Sequence, residues 1–217
     1  MSFATASILA WFQEISYNFS GNMKLSQESQ DVEILKSCLP AFPEAVVNPA
    51  FVIVSGLPGT GKSFFCRRLV EKMPFVIVES DAMRKVLFPT PGYSAEESTR
   101  LFNALHSLVE ELLNDGISII FDATNLIEYH RERLYHIGYK IGAKLVLVRV
   151  EAPAEVVHQR LQKRKNGGDL DDKSDADWKI YQRMKLTAGK IQRNHFAVDT
   201  SRDIAPVIDK IVRLIKR

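Results

Sequence analysis

A doubly wound α/β sandwich built on a mainly parallel sheet is the fold that this sequence predicts. Two observations carry the expectation. From residue 50 onward, short β-branched runs alternate with helical patterns, and the first run is followed at once by the glycine-rich stretch Gly56-Leu57-Pro58-Gly59-Thr60-Gly61-Lys62-Ser63. Runs without polar alternation are strands buried on both faces of a parallel sheet. Such sheets bind their ligands at the carboxyl ends of the strands, where a glycine-rich turn enters a helix.

The chain has 217 residues, enough for one well-buried domain with some extra sequence. A hydrophobic share of 46% and a charged share of 25% are those of ordinary globular proteins, which excludes a disordered or fibrous class. The net charge of +3, from 29 basic and 26 acidic residues, is too small to mark a nucleic-acid coat or a membrane-surface protein. No apolar run approaches the ~18 residues of a spanning helix, and the N-terminus lacks the pattern of a secretory signal. Cys38 and Cys66 have no metal-type spacing, so a reduced, cytoplasmic protein without a membrane association is expected.

Residues 1–49 read as a helical N-terminal extension and linker. Ile8, Leu9, Trp11, Phe12, Ile15 and Phe19 recur at helical spacing until Ser20-Gly21-Asn22 breaks the pattern. This helix either folds against the domain or serves a homodimer or protein partner. A second helical pattern, Asp31 to Leu39, ends at Pro40, and a proline-marked linker runs to Pro49.

Residues 50–217 form the expected domain. Its strands are FVIVS at 51–55, FVIVE at 75–79, ISIIFD at 117–122, KLVLVRV at 144–150 and HFAV at 195–198. Ser94-Ala95-Glu96-Glu97 has the form of a capping box opening a helix that ends near Gly116. Gly142 suits the end of a helix from about Glu128, and Pro153 the first turn of the next.

The stretch from Gly56 to Ser63 satisfies the spacing G-x4-G-K-S, which arises by chance in about one chain in a hundred. Glycines let backbone N–H groups turn toward phosphate oxygens, the lysine meets the β- and γ-phosphates, and the serine hydroxyl serves Mg²⁺. Gly56, Leu57, Pro58, Gly59, Thr60, Gly61, Lys62, Ser63 and Phe64 are therefore assigned to nucleotide phosphate. Phe64 stands where a second small hydroxyl residue is common, which removes one contact to the α-phosphate. The alternative is a glycine-rich turn that only joins strand to helix.

Three polar clusters at strand or helix ends bear on the reaction. Asp81 follows the second strand, where it suits acceptance of a proton from a hydroxyl or, in the plainer reading, an N-cap. Arg84, one helical turn on, suits an anionic group of the acceptor or simple solvation. Asp122 ends the third strand as a Mg²⁺ residue, directly or through water, or as a turn with Asn125; Thr124 and Asn125 are assigned to the acceptor. Arg160 and Arg164 share one helix face ahead of NGGDLDDKSD, a stretch suited to a lid over about 160–177. The plainer reading is a basic, exposed helix end. The five histidines show no ligand pattern.

Taken together, GLPGTGKS, ESDAMR, FDATN, RLQKR, SDADW and VDTS resemble a family of small P-loop kinases. It includes polynucleotide 5′-hydroxyl kinase domains, with zeta-toxin and chloramphenicol phosphotransferase families as distant relatives. The resemblance covers about residues 50–217. It implies a three-layer P-loop sandwich with five strands in the order 2-3-1-4-5, and transfer of the γ-phosphate of ATP, with Mg²⁺, to a hydroxyl on a small molecule or a nucleic-acid 5′ end. By this likeness Lys62 and Ser63 match the phosphate and magnesium residues, Asp81 the general base, Arg84 the acceptor arginine, and Arg160 and Arg164 the lid arginines. No element for ring assembly follows the core, and no guanine-reading sequence is present. An ATP-dependent switch that binds a protein partner is the reading from a different class.

Overall fold

The computed structural model describes residues 26–165 and 177–217. The helical pattern around Trp11 and the NGGDLDDKSD lid stretch lie outside the described residues. Among those described, helix α1 (Gln27–Ser37) precedes β1 (Ala50–Ser55), α2 (Lys62–Val70), β2 (Val76–Glu79), α3 (Ser80–Leu87), α4 (Ala95–Asn114) and β3 (Ile119–Asp122). Then follow α5 (Glu128–Ile141), β4 (Lys144–Glu151), α6 (Ala154–Lys165), α7 (Trp178–Thr187), β5 (Phe196–Asp199) and α8 (Ala205–Lys216). No helix among the described residues is long and apolar enough to cross a membrane.

All strand pairs are parallel and the order is β2-β3-β1-β4-β5, as the resemblance implies. Because side chains alternate along a strand, the sheet feeds two cores. Phe51 and Ile53 of β1 face one core with Leu101, Leu105, Leu108 and Leu112 of α4 and Leu134 of α5. Val52 and Val54 face the other with Phe65 and Leu69 of α2 and Ile208, Ile211 and Ile215 of α8. The three-layer sandwich thus follows from strands that are apolar on both faces.

Helix α1 is fastened to α4 by charge as well as by packing. Val32 and Leu35 are buried, and Asp31, fully buried, accepts two 2.7 Å hydrogen bonds from Nε and Nη2 of Arg100. These bonds, above all, hold the Asp31 carboxyl below its usual pKa. Lys36 pairs with Glu111 one turn from the other end of the same interface.

Most boundaries depart from the sequence expectation by one or two residues, as fraying ends do, while α1 begins at Gln27, four residues ahead of the expected Asp31. One departure has a chemical cause. Ser94 accepts the Glu97 N–H at 3.1 Å, which is half of a capping box, but the Glu97 carboxylate accepts from Arg84 Nη1 at 2.9 Å and from Gly92 N at 2.7 Å. A charge-assisted bond to a buried guanidinium outweighs a second bond to a cap amide.

His106 on α4 lies between the rings of Phe102 and Phe121, and Nδ1 has no hydrogen-bond partner among the described residues. Burial first, then Arg133 and His130, pull its pKa down to about 4 from 6.5. The unfolded chain therefore takes up the proton first, so stability is full above about pH 6.5 and falls as the pH drops toward 4. Relative to His106→Leu, the wild type should lose roughly 3 kcal/mol across that window in urea unfolding. Parallel pH profiles for the two proteins would refute this.

Candidate functional site

Strand register assembles the site. Asp122 at the end of β3 sits opposite Val54 of β1 on one side and Glu79 of β2 on the other. The three carboxyl ends therefore open on one surface, and the Gly56 turn leaves β1 beside them. A cavity of about 780 Å³ lies there, lined by Lys62, Ser63, Asp81, Arg84, Asp122, Thr124, Arg160 and Arg164 among others.

The glycines of the loop are required by close contacts. A Cβ on Gly56 would stand 2.4 Å from the Val150 carbonyl oxygen, and Gly61, at φ +90°, would place one 2.9 Å from Thr200 Oγ1. Thr60 Oγ1 donates to the Leu57 carbonyl at 2.7 Å and closes the turn from within. Lys62 Nζ donates to the same carbonyl at 3.3 Å. Helix α2 begins at Lys62 with Gly61 as a left-handed N-cap that offers no side-chain acceptor, so the first N–H groups of the helix are left for an anion.

Ser63 Oγ donates to Asp122 Oδ2 at 2.7 Å. Burial is the main cause of a raised Asp122 pKa, reinforced by the Asp81 carboxylate and opposed by Lys62 and Ser63. An oxygen pair of one hydroxyl and one carboxylate beside a phosphate-binding loop fits Mg²⁺, which takes few protein ligands and completes its shell with water and phosphate. The Asp122 side chain is thus bonded to Ser63. Because the folded-state pKa lies above the unfolded value, ionised Asp122 costs stability as the pH rises through it. The nucleotide-free Asp122→Asn protein should melt higher than wild type at pH 7 and gain less from Mg²⁺ with ATP, a pair of shifts that thermal scans read directly.

Asp81 is not an N-cap. Helix α3 starts at Ser80 with Glu79 at the cap position, and Asp81 lies in the first turn, facing the cavity that Lys62 also lines. Arg84 is not solvated either. Its side chain is 8% exposed, and it donates to Glu97 and, at 3.3 Å, to Ser98, with the Tyr93 ring 4.8 Å from its guanidinium carbon.

Thr124 lines the cavity, but the structure does not bring the Asn125 side chain there. Asn125 takes a left-handed φ of +45°, and its Nδ2 donates 2.8 Å to the Val54 carbonyl, bracing the end of β1. Arg160 is not an exposed helix end. It donates through Nη1 to Thr200 Oγ1 at 2.8 Å and through Nη2 to the Thr200 carbonyl at 3.0 Å, while Thr200 Oγ1 donates to the Thr60 carbonyl at 2.6 Å. Arg160 and Thr200 together brace the loop from behind.

Thr200, Arg67, Lys163, Arg183, Tyr93 and Phe102 also line the cavity without having been given a role in the sequence, although VDTS contains Thr200 and RLQKR contains Lys163. Thr200 follows the last strand, so the rule that ligands lie at carboxyl strand ends identifies it. The others sit inside helices or in a proline-marked loop and carry no local signal.

Comparison with known proteins fits this geometry. The model of a family described as an AAA domain matches residues 51–190. An L-seryl-tRNA(Sec) kinase from Methanococcus maripaludis is 31% identical over 114 residues, 50% of this chain and 44% of that protein, so the chain spans less than half that relative's length. Among solved structures, an APS kinase of Mycobacterium tuberculosis in complex with AMPPNP and APS aligns with a TM-score of 0.57 at 18% identity, over 78% of this chain and 99% of that one. Kti12 of Chaetomium thermophilum in complex with ADP-AlF3 aligns at 0.59 and 19%, over 76% and 98%. Likeness at such identity is a likeness of fold, here the P-loop kinase fold. The family match spans well over half of the chain, which therefore belongs to this AAA-domain family.

Proposed function

We propose that the protein is a phosphotransferase that moves the γ-phosphate of ATP to a hydroxyl acceptor, a small molecule or a nucleic-acid 5′ end. The observation that supports this most is that one cavity is lined both by the phosphate-binding Lys62 and Ser63 and by the Asp81 carboxylate. A nucleotide-binding loop alone would serve hydrolysis or signalling equally well.

In this reading the loop amides and Lys62 hold the β- and γ-phosphates, and Ser63 and Asp122 hold Mg²⁺. The metal supplies charge neutralisation on the phosphate oxygens. Asp81 orients the acceptor hydroxyl and takes its proton. The acceptor oxygen bonds to the γ-phosphorus as the bond to the bridging oxygen breaks, and ADP leaves. Thr124 and the Arg84 side bound the acceptor. Arg160, Arg164, Arg183 and Lys163, which all line the cavity, put positive charge around the transferring group.

The test is transfer of label from γ-labelled ATP to 5′-hydroxyl oligonucleotides, nucleosides and pooled metabolites, with Lys62→Ala as the blank. A labelled acceptor that disappears in the blank is the expected result. ATP binding without transfer to any class would instead favour a nucleotide-dependent switch acting on a protein partner.

A further inference from the structure

Arg84 is placed where an arginine would be expected to grip an anion, yet its donors are turned the other way. Nη1 is bonded to Glu97 and Nη2 to Ser98, the Tyr93 ring covers its face, and 8% of the side chain is exposed. Gripping an anion through those two nitrogens would break an ion pair whose partner, Glu97, is itself only 11% exposed. Stranding a charge of that kind is strongly unfavourable.

What the arrangement builds is a wall. Glu97 takes the guanidinium with one oxygen and the Gly92 N–H with the other, which fixes the loop ahead of α4. Tyr93 is held there at φ +54°, a conformation uncommon for a large side chain and one that recurs at functional sites. The residue is 49% exposed, and it lines the cavity together with Phe102 and Phe64. Three aromatic rings in a cavity otherwise rich in charge are a stacking platform, because every flat heterocycle offers a π-face to such rings.

We propose that Tyr93, with Phe102, recognises the acceptor by stacking on a planar ring, that Arg84 and Glu97 position Tyr93, and that the acceptor is a nucleoside unit. Asp81 and Arg84 stand one helical turn apart on α3, the Tyr93 ring lies 4.8 Å from the Arg84 guanidinium carbon, and all three line the same cavity. The sugar of a nucleoside carries a hydroxyl and a planar ring on one small molecule, as a cavity with a carboxylate and an aromatic ring requires. This rests on the phosphotransferase reading for the site but is tested by binding, without turnover.

With Mg²⁺ and saturating AMPPNP filling the donor half, calorimetry would measure cytidine, a 5′-hydroxyl trinucleotide, ribose and ribose 5-phosphate. The ring-bearing probes should bind more tightly than either sugar. Whichever of the two binds better identifies a free nucleoside or a strand end as the source of the ring. Tyr93→Ala and Glu97→Gln should each weaken that binding by roughly tenfold or more, with AMPPNP affinity unchanged. If Arg84 is instead the anion grip, Glu97→Gln releases it and ribose 5-phosphate binds more tightly, which overturns the proposal. So does ring-bearing affinity no greater than that of the sugars, or no binding of any probe. Tyr93-dependent binding of cytidine or the trinucleotide with no phosphate transfer would sink the phosphotransferase reading and leave the platform standing.

Discussion

Asp81→Asn should lower the rate of phosphate transfer by about 10²- to 10⁴-fold, the usual worth of a positioned general base, while ATP affinity stays within about twofold. The substitution separates chemistry from folding because of where the residue sits. Glu79 occupies the cap position of α3 and Asp81 the first turn, so an amide in place of the carboxylate removes no capping hydrogen bond. Loss of its charge from the helix N-terminus costs at most about 1 kcal/mol. In the proposed function ATP would contact the glycine loop, Lys62 and the start of α2, none of which Asp81 bonds in the structure. Single-turnover transfer and equilibrium ATP binding on the same preparation check both halves of the expectation. A rate within about threefold of wild type would remove Asp81 from the role of base.

The largest stability effect is expected at Arg131 of α5, which is fully buried. Its Nε donates to Glu128 at 3.1 Å, Nη1 bonds the Asn125 carbonyl, and Nη2 bonds Glu128 and, at 3.3 Å, the Lys190 carbonyl. Beside it Gly189 N donates to the Leu126 carbonyl at 3.1 Å. One guanidinium thereby joins the loop after β3, a strand that ends at Asp122, to the segment that follows α7, whose Ile180, Arg183 and Met184 line the cavity. Arg131→Met strands the Glu128 carboxylate and two carbonyls, and should cost ~3–5 kcal/mol in urea unfolding. Arg131→Lys should recover less than half of that, since an ammonium cannot span the directions that a planar fork does. A loss under about 1 kcal/mol for the methionine variant would show that water replaces these bonds.

The outcomes at individual residues divide by the range of the forces involved. Strand runs, the glycine loop and the left-handed Gly142 are local facts, because backbone geometry and side-chain period act over a few residues. The α/β alternation was legible for the same reason, and the strand order followed from likeness rather than from any pattern in the chain. Asp122 could be placed at a strand end, but its bond to Ser63 spans 59 residues and exists only because β3 lies beside β1.

Arg84 shows the limit most clearly. Its spacing from Asp81 gave it a direction on the helix, whereas its partner Glu97 lies thirteen residues on, across a loop whose path no local rule dictates. Asn125 likewise carried a side chain suited to ligand binding, and packing turned it to the Val54 carbonyl, while Arg160, which lines the cavity, also bonds Thr200. Burial leaves a polar group little choice but to bond its nearest neighbour, and the neighbour is chosen by the fold.

By itself, then, the sequence determined the fold class, the phosphate-binding loop and the polar residues that end the strands, all of which are properties of contiguous chain. Only the tertiary structure decided which of those polar groups face the cavity and which hold its walls, because that choice depends on desolvation and on partners brought from distant elements.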